Sequence, residues 1–431
     1  MATSSAPPPS PSESSTPSAA SEPSKPAPLS PQTRRRQRMA KALALVVSLT
    51  FSAVMLEGVF RVIERGEMGK EYHRGEGGHP LPDARWGWKM SPGSFEQGTS
   101  EFAITGDVNA MFMNDDAVDT ASEKAKTRVL ALGDSHTFAV GVSSDETWAK
   151  ALQRDLIART GKPFRVYNDG CPGYNLHQYL LRLLDHGPTL RPDYVVVGFS
   201  YATDLFDLLP PDHGGWTYGA PTQPRDYFDF DASGALEERH WVPPLEGASD
   251  QGKTVSGAMA VRNFAGSFAT VRYLRRSKLA LFVGSHVTVG GQSLWPNMDV
   301  VVEKDVGPGR EYTWRLAKAL LLKMKAESDK LGARLVIAGI PYLPQVYDEI
   351  WTSTFGGNEK YSKTAAIERI RAFCEANGIR YVDTLDALHD RAQKVGHWLH
   401  HRRDAHPTRE GQEVIAEVIA ASGALPPIAD R

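Results

Sequence analysis

At 431 residues with 41% apolar side chains, the chain has room for one large domain or two ordinary ones, each with a real core. A net charge of −2 and a pI near 6.7 leave no basic field for nucleic acid. Two cysteines, Cys171 and Cys374, are too few and too distant in sequence for a disulfide framework or a zinc knuckle.

The first 33 residues hold nine prolines and ten serines with almost no large apolar groups, too little to offset the entropy of ordering. Residues 1–38 are therefore expected to be a disordered tail. Five cations, Arg34, Arg35, Arg36, Arg38 and Lys41, then precede "ALALVVSLTFSAVML", and the apolar stretch runs on to Ile63, long enough to cross a hydrocarbon core. The sequence predicts a transmembrane helix over 39–63, with Glu57 and Arg61 one turn apart near its far end. The flanking cations put the N-terminus in the cytoplasm and the rest outside, periplasmic or extracellular. A cleaved signal peptide fits less well, because the tail is long and no A-x-A site follows.

Residues 64–126 read as a juxtamembrane stalk that packs on the main domain through Trp86 and Trp88, taken as ordinary anchoring aromatics. Regular alternation follows. Strands are predicted at "TRVLAL", "FRVYN", "DYVVVGF", "ARLVIAGI" and "IRYVD", with helices between them and a last helix in "TREGQEVIAEVIAAS". The helix in "YNLHQYLLRLLDHG" is expected to end at Gly187, and Asp145 and Thr147 read as helix-start residues. This pattern means an α/β three-layer sandwich around a mostly parallel five-stranded sheet, spanning 127–425. A long interruption, about 208–310, includes the amphipathic "FATVRYLRRSKLALFVG" and reads as a cap or lid, or else as a structural insertion.

Reactive groups in such a sheet collect past the carboxyl ends of the strands. Ser135 follows the first strand, Asn168 to Gly173 the second, and Tyr201 to Asp204 the third. A serine needs a base to take its proton and a carboxylate to orient that base. His136 is adjacent, but neighbouring side chains on a tight turn diverge. "HRRDAHPTREGQ" offers Asp404 and His406 in one loop, with Thr408 capping the helix that follows. His397 and His401 have the i, i+4 spacing of metal ligands, but no Glu accompanies them and Arg402 and Arg403 repel a cation. Neither a metal nor a cofactor is expected.

"VLALGDSHTFAVGV" resembles the first block of the SGNH (GDSL-like) hydrolases, "VYNDGCPGYN" the second and "DAHPTREGQEVIAEVI" the last. "ARLVIAGIPYLPQV" and the "EGVFR" end of the apolar span resemble membrane-tethered relatives in that superfamily. The resemblance implies a flavodoxin-like fold with Ser135 as nucleophile, His406 as general base and acid, and Asp404 as its orienting partner. It also implies an oxyanion hole from the Ser135 and Gly173 amides and, where the family has Asn, Thr203. Asp134 and Asp204 would support the site. Asp-x-His stands here where Asp-x-x-His is commoner.

The function so implied is a serine esterase working through an acyl-serine on a small acyl ester or an O-acetylated glycan. An O-acetyltransferase acting on exported polysaccharide, or a non-catalytic binding protein on the same fold, are the alternatives.

Overall fold

The computed structural model describes residues 31–68, 71–206, 208–210, 213, 223–243, 299–402 and 404–428. The tail up to residue 30 and the amphipathic stretch Phe268 to Gly284 lie outside them.

Helix α1, Pro31–Met68, overruns the expected span at both ends, so residues 31–38 and 64–68 are helical as well. Its stretch Arg35–Val62 is long and apolar enough to cross a membrane. Large apolar side chains along it, from Met39 to Val62, are exposed.

The 71–126 region is built from five short strands: β1 (Tyr72–Gly75), β2 (Pro80–Asp83), β3 (Gly87–Met90), β4 (Gly93–Gly98) and β5 (Ala103–Val108). They pair antiparallel as β1-β4-β5 and as the hairpin β2-β3. Strand β5 alternates, burying Ile104, Gly106 and Val108 and leaving Ala103, Thr105 and Asp107 exposed, the pattern of a sheet with one wet face.

Five parallel strands form the main sheet in the order β12 (Arg380–Asp383), β11 (Arg334–Ile340), β8 (Tyr194–Ser200), β6 (Thr127–Gly133), β7 (Phe164–Gly170). Strands β6, β7 and β8 are buried along their whole length, as apolar runs covered on both faces must be. In chain order the sheet reads 2-1-3-4-5, so its topological switch point lies between β6 and β8, where sites form in open α/β sheets. The fold is the α/β sandwich expected from the sequence.

Helices α2 (Ser135–Phe138), α3 (Trp148–Thr160), α4 (Leu176–Leu190) and α5 (Tyr201–Phe206) follow the first three of these strands. Thr147 caps α3 by accepting from the Lys150 amide. Helix α4 does not stop at Gly187: it runs through Pro188 to a left-handed cap at Arg191 (φ 44°). Pro188, near the helix end, forfeits its own N–H.

Of the interruption, the structure describes a hairpin, β9 (Arg225–Phe230) with β10 (Leu236–Trp241), and the short helix α6 (Asp299–Val302). His177 on α4 fastens it, with Nε2 donating to the Leu208 carbonyl (2.9 Å) and Nδ1 accepting from the Phe228 amide (3.1 Å). Beyond it come α7 (Pro308–Lys330), α8 (Leu343–Val346), α9 (Asp348–Phe355), α10 (Ala365–Ala376), α11 (Leu385–Val395) and α12 (Arg409–Ala421). Helices α4 and α7 pack together over β6 and β11, and α3 packs with α12. Buried Gln412 of α12 accepts from the Trp148 amide of α3 at 2.9 Å.

Candidate active site

Strand β6 ends at Gly133, and Asp134 then caps a single helical turn, its Oδ1 accepting from the His136 amide at 2.8 Å. Ser135 is the first residue of that turn, which leaves its amide without an intrahelical partner. Below it Thr137 occupies a cradle of glycines, two ending β6 and β7 and one, Gly198, two residues before the end of β8. A Cβ on Gly133 would stand 1.9 Å from Thr137 Oγ1, one on Gly198 2.5 Å from the same atom, and one on Gly170 2.3 Å from the Phe138 nitrogen. The turn that carries Ser135 can sit this deep only because β6, β7 and β8 present no side chains there.

His406 comes from the loop between α11 and α12. Its Nε2 lies 2.7 Å from Ser135 Oγ, and its Nδ1 meets Asp404 Oδ1. The one-residue spacer that separates Asp404 from His406 is workable because Ala405 adopts left-handed backbone (φ 68°). That conformation brings both side chains onto one side of the loop. Bonds from His401 N to His406 O (2.9 Å), Ala405 N to His401 O (3.1 Å) and Thr408 N to Leu399 O (2.8 Å) hold the loop closed. Thr408 then caps α12. Burial pushes the Asp404 carboxyl up, but the bond to His406 and the fields of His406 and His401 outweigh it and keep it below the usual range.

A second aspartate-histidine pair backs the first. His136 Nδ1 is 3.2 Å from both oxygens of Asp134, and its ring centre is 4.9 Å from that of His406. Asp134 is 1% exposed. Burial acts to raise its pKa, while His136, the Thr203 hydroxyl and the His136 amide together bring it below the usual value. The neighbouring Asp204 goes the other way: burial first, then the field of Asp134, push it well above the usual range. Asp204 accepts from Tyr179 (2.7 Å) and from the Ser200 amide (2.9 Å), tying α4, β8 and α5 beneath the site.

Thr203 departs from the expectation of a third oxyanion donor. Its hydroxyl carries one proton and gives it to Asp134 Oδ2 at 2.5 Å. The other two expected donors, the Ser135 and Gly173 amides, donate to no protein acceptor among the described residues. Gly173 has φ 80°, in the region that favours glycine, within the turn after β7. Cys171 in the same turn is buried, which pushes its thiol up to about 12.

The histidines weighed as metal ligands part company: His397 Nε2 meets Glu410 at 3.0 Å, and His401 Nε2 meets the Gly141 carbonyl at 3.1 Å. Three features of the site escape motif reading: the left-handed Ala405, the buried Asp134–His136 pair, and Trp88, whose indole N–H donates to the Pro172 carbonyl beside Gly173 at 2.9 Å. The recurrence of Gly in the last residues of β6, β7 and β8 is the signal that would have located the cradle.

No family model matches the sequence, and no curated protein matches it. Among solved structures, a GDSL-like lipase from Bacteroides thetaiotaomicron is 12% identical, over 69% of this chain and 88% of its own, with a TM-score of 0.29. A psychrotrophic esterase from Pseudoalteromonas sp. is 12% identical over 69% and 96%, with a TM-score of 0.33. An acetyl xylan esterase is 13% identical over 69% and 99%, with a TM-score of 0.36. In the order of its sequence blocks, and in the parallel sheet whose one edge gathers them, this chain is similar to the SGNH (GDSL-like) hydrolases.

Proposed function

We propose that this protein is a serine esterase, with Ser135 as nucleophile, His406 as general base and acid, and Asp404 as the group that orients it. The observation that carries this reading is the 2.7 Å approach of His406 Nε2 to Ser135 Oγ, with Asp404 on the opposite ring nitrogen. With Nδ1 protonated toward Asp404, Nε2 is the lone pair that takes the serine proton.

Ser135 Oγ then bonds to the ester carbonyl carbon, and the negative charge on the carbonyl oxygen is met by the Ser135 and Gly173 amides. Collapse breaks the bond to the alcohol oxygen, which leaves with the proton from His406. Water repeats the sequence on the acyl-serine, releasing the acid and restoring the hydroxyl. Asp134 and Asp204 support this edge from below through His136, Thr203, Tyr179 and Ser200.

The substrate in this reading is an extracytoplasmic ester, a small acyl ester or an O-acetylated glycan. The apolar helix α1, with five cations at its N-terminal end, supports an anchored domain outside the cytoplasm. A reporter fused after Arg65 and active only in the cytoplasm would reverse that orientation.

Full-length protein in detergent should release p-nitrophenol from p-nitrophenyl acetate, and Ser135→Ala should abolish release. Equal rates in the two proteins would remove Ser135 from the mechanism. The same assay with an acetylated oligosaccharide, reading free acetate, tests the glycan; acetate appearing instead on an added sugar hydroxyl would make the protein an O-acetyltransferase.

A further inference from the structure

The hairpin β2-β3 belongs to none of the sequence blocks that build the site, yet it grips the loop that supplies the Gly173 amide. Trp88 Nε1 donates to the carbonyl of Pro172, the residue before Gly173, at 2.9 Å. The Tyr174 hydroxyl, one residue after Gly173, donates to the Trp88 carbonyl. The Trp88 and Tyr174 rings meet edge to face with centres 5.5 Å apart. Between these two attachments the indole lies directly on the glycine: a Cβ built on Gly173 would stand 3.0 Å from Trp88 Cζ2.

The hairpin is itself anchored on both sides. Trp86 Nε1 donates to Asp185 of α4 at 2.8 Å, and its ring carries the Arg182 guanidinium 4.4 Å from its centre. Arg182 Nε donates to Asp169, near the end of β7, at 2.7 Å. Arg85 joins Asp185 to Asp226 of β9. The end of β7 is therefore held at Asp169 through Arg182 and Trp86, and the turn after it at Pro172 to Tyr174 through Trp88.

We propose that Trp88 is a positioning residue that fixes the Gly173 amide, making the hairpin upstream of the sheet part of the catalytic apparatus. The inference rests on the esterase reading above. It gains weight from Thr203, whose proton goes to Asp134: with two amides left to meet the developing charge, the placement of each matters more. An indole N–H on the carbonyl of the peptide unit that carries the Gly173 N–H, a phenol from the next residue bonded back to the Trp88 carbonyl, and a ring against the glycine leave the turn little freedom to rotate that amide away.

The test compares wild type, Trp88→Ala and Trp88→Phe as full-length protein in detergent, with three readouts: kcat and KM on p-nitrophenyl acetate, affinity for phenylboronic acid, and amide hydrogen exchange at Cys171, Gly173 and Tyr174. The boronate mimics the tetrahedral intermediate by bonding Ser135 Oγ. Trp88→Ala is expected to lower kcat about 100-fold and weaken the boronate by a similar factor, as for a misplaced oxyanion donor, with KM within about twofold. Exchange in the 171–174 turn should quicken while that of β6 and β8 stays unchanged. Trp88→Phe keeps a ring on Gly173 and loses the bond to Pro172, so it should fall between the two, with kcat about tenfold below wild type, KM unchanged and exchange at Gly173 measurably faster.

A raised KM with unchanged kcat, or unaltered exchange in the turn, overturns the proposal. If Trp88→Ala fails to fold, the exchange and the kcat-to-KM split of Trp88→Phe decide it. A wild type that neither turns over the ester nor binds the boronate defeats the esterase reading instead, and the exchange readout still decides whether Trp88 clamps the turn.

Discussion

Ser135 stands between two aspartate-histidine pairs of identical sequence spacing, Asp134-x-His136 and Asp404-x-His406, whose imidazoles are 4.9 Å apart. In both, the histidine Nδ1 faces the carboxylate. Only His406 turns its Nε2 to the serine oxygen. Asp134 is a buried helix cap that also takes the Thr203 proton, whereas the Asp404 side chain is about one-third exposed on a surface loop. Spacing thus makes a pair and position sets its surroundings: in the proposed mechanism the same three-residue pattern serves as foundation in one place and as base in the other.

The sharpest way to break this contrast is to remove one histidine at a time. His406→Ala should lose on the order of 10⁶-fold in kcat, as loss of a triad base does. His136→Ala should retain far more activity; a comparable loss would mean that the second pair also moves protons.

The carboxylates extend the test. Asp404→Asn should cost on the order of 10⁴-fold in kcat by favouring the wrong histidine tautomer. Asp134→Asn keeps an acceptor for the His136 amide and should cost about tenfold, roughly one charged hydrogen bond. Equal costs in the p-nitrophenyl acetate assay would erase the distinction between the pairs.

Acid stability probes the ground under both pairs. His400 accepts from Tyr347 at Nδ1 (2.8 Å), and burial first, then the fields of His136, His406 and His401, lower its pKa to about 3. Burial brings His177 to about 4. Both folded values lie below the unfolded 6.5, so the unfolded chain binds more protons as pH falls from 6.5 toward 4. Stability should drop over that window by about 1.4 kcal/mol per pH unit for each group. Urea midpoints measured from pH 7 to 4 should show this slope, shallower in His177→Gln; a flat profile would refute it.

The smallest effect concerns the spacer. Ala405→Val places a branched side chain in left-handed backbone and should cost about 1–2 kcal/mol, while Ala405→Gly should hold the wild-type melting temperature within a few degrees. A tolerated valine would show that the loop reaches its geometry another way.

Much of this was readable in advance. The alternation of apolar runs and helical periods gave the five parallel strands, and the GDS, GCPG and DAH segments marked their edge. Less readable was the region upstream of the sheet, whose strands are four to six residues long and, in β2 and β4, rich in proline or glycine. Such strands take their identity from partners, as Trp88 does from Pro172 and Gly173, and local composition carries no trace of a partner about 84 residues away. Thr203 was legible as a departure from Asn, but the destination of its proton depends on Asp134, 69 residues earlier.

The glycine cradle under Thr137 has a consequence for engineering. Outside the 171–174 turn and the Asp404–His406 loop, variation around Ser135 can be explored by comparison, whereas Gly133, Gly170 and Gly198 form a keyhole cut to one key. A methyl group at any of them lifts the serine out of register with a histidine that arrives 271 residues later. Libraries aimed at new substrates should leave those three positions untouched and spend their diversity above the sheet.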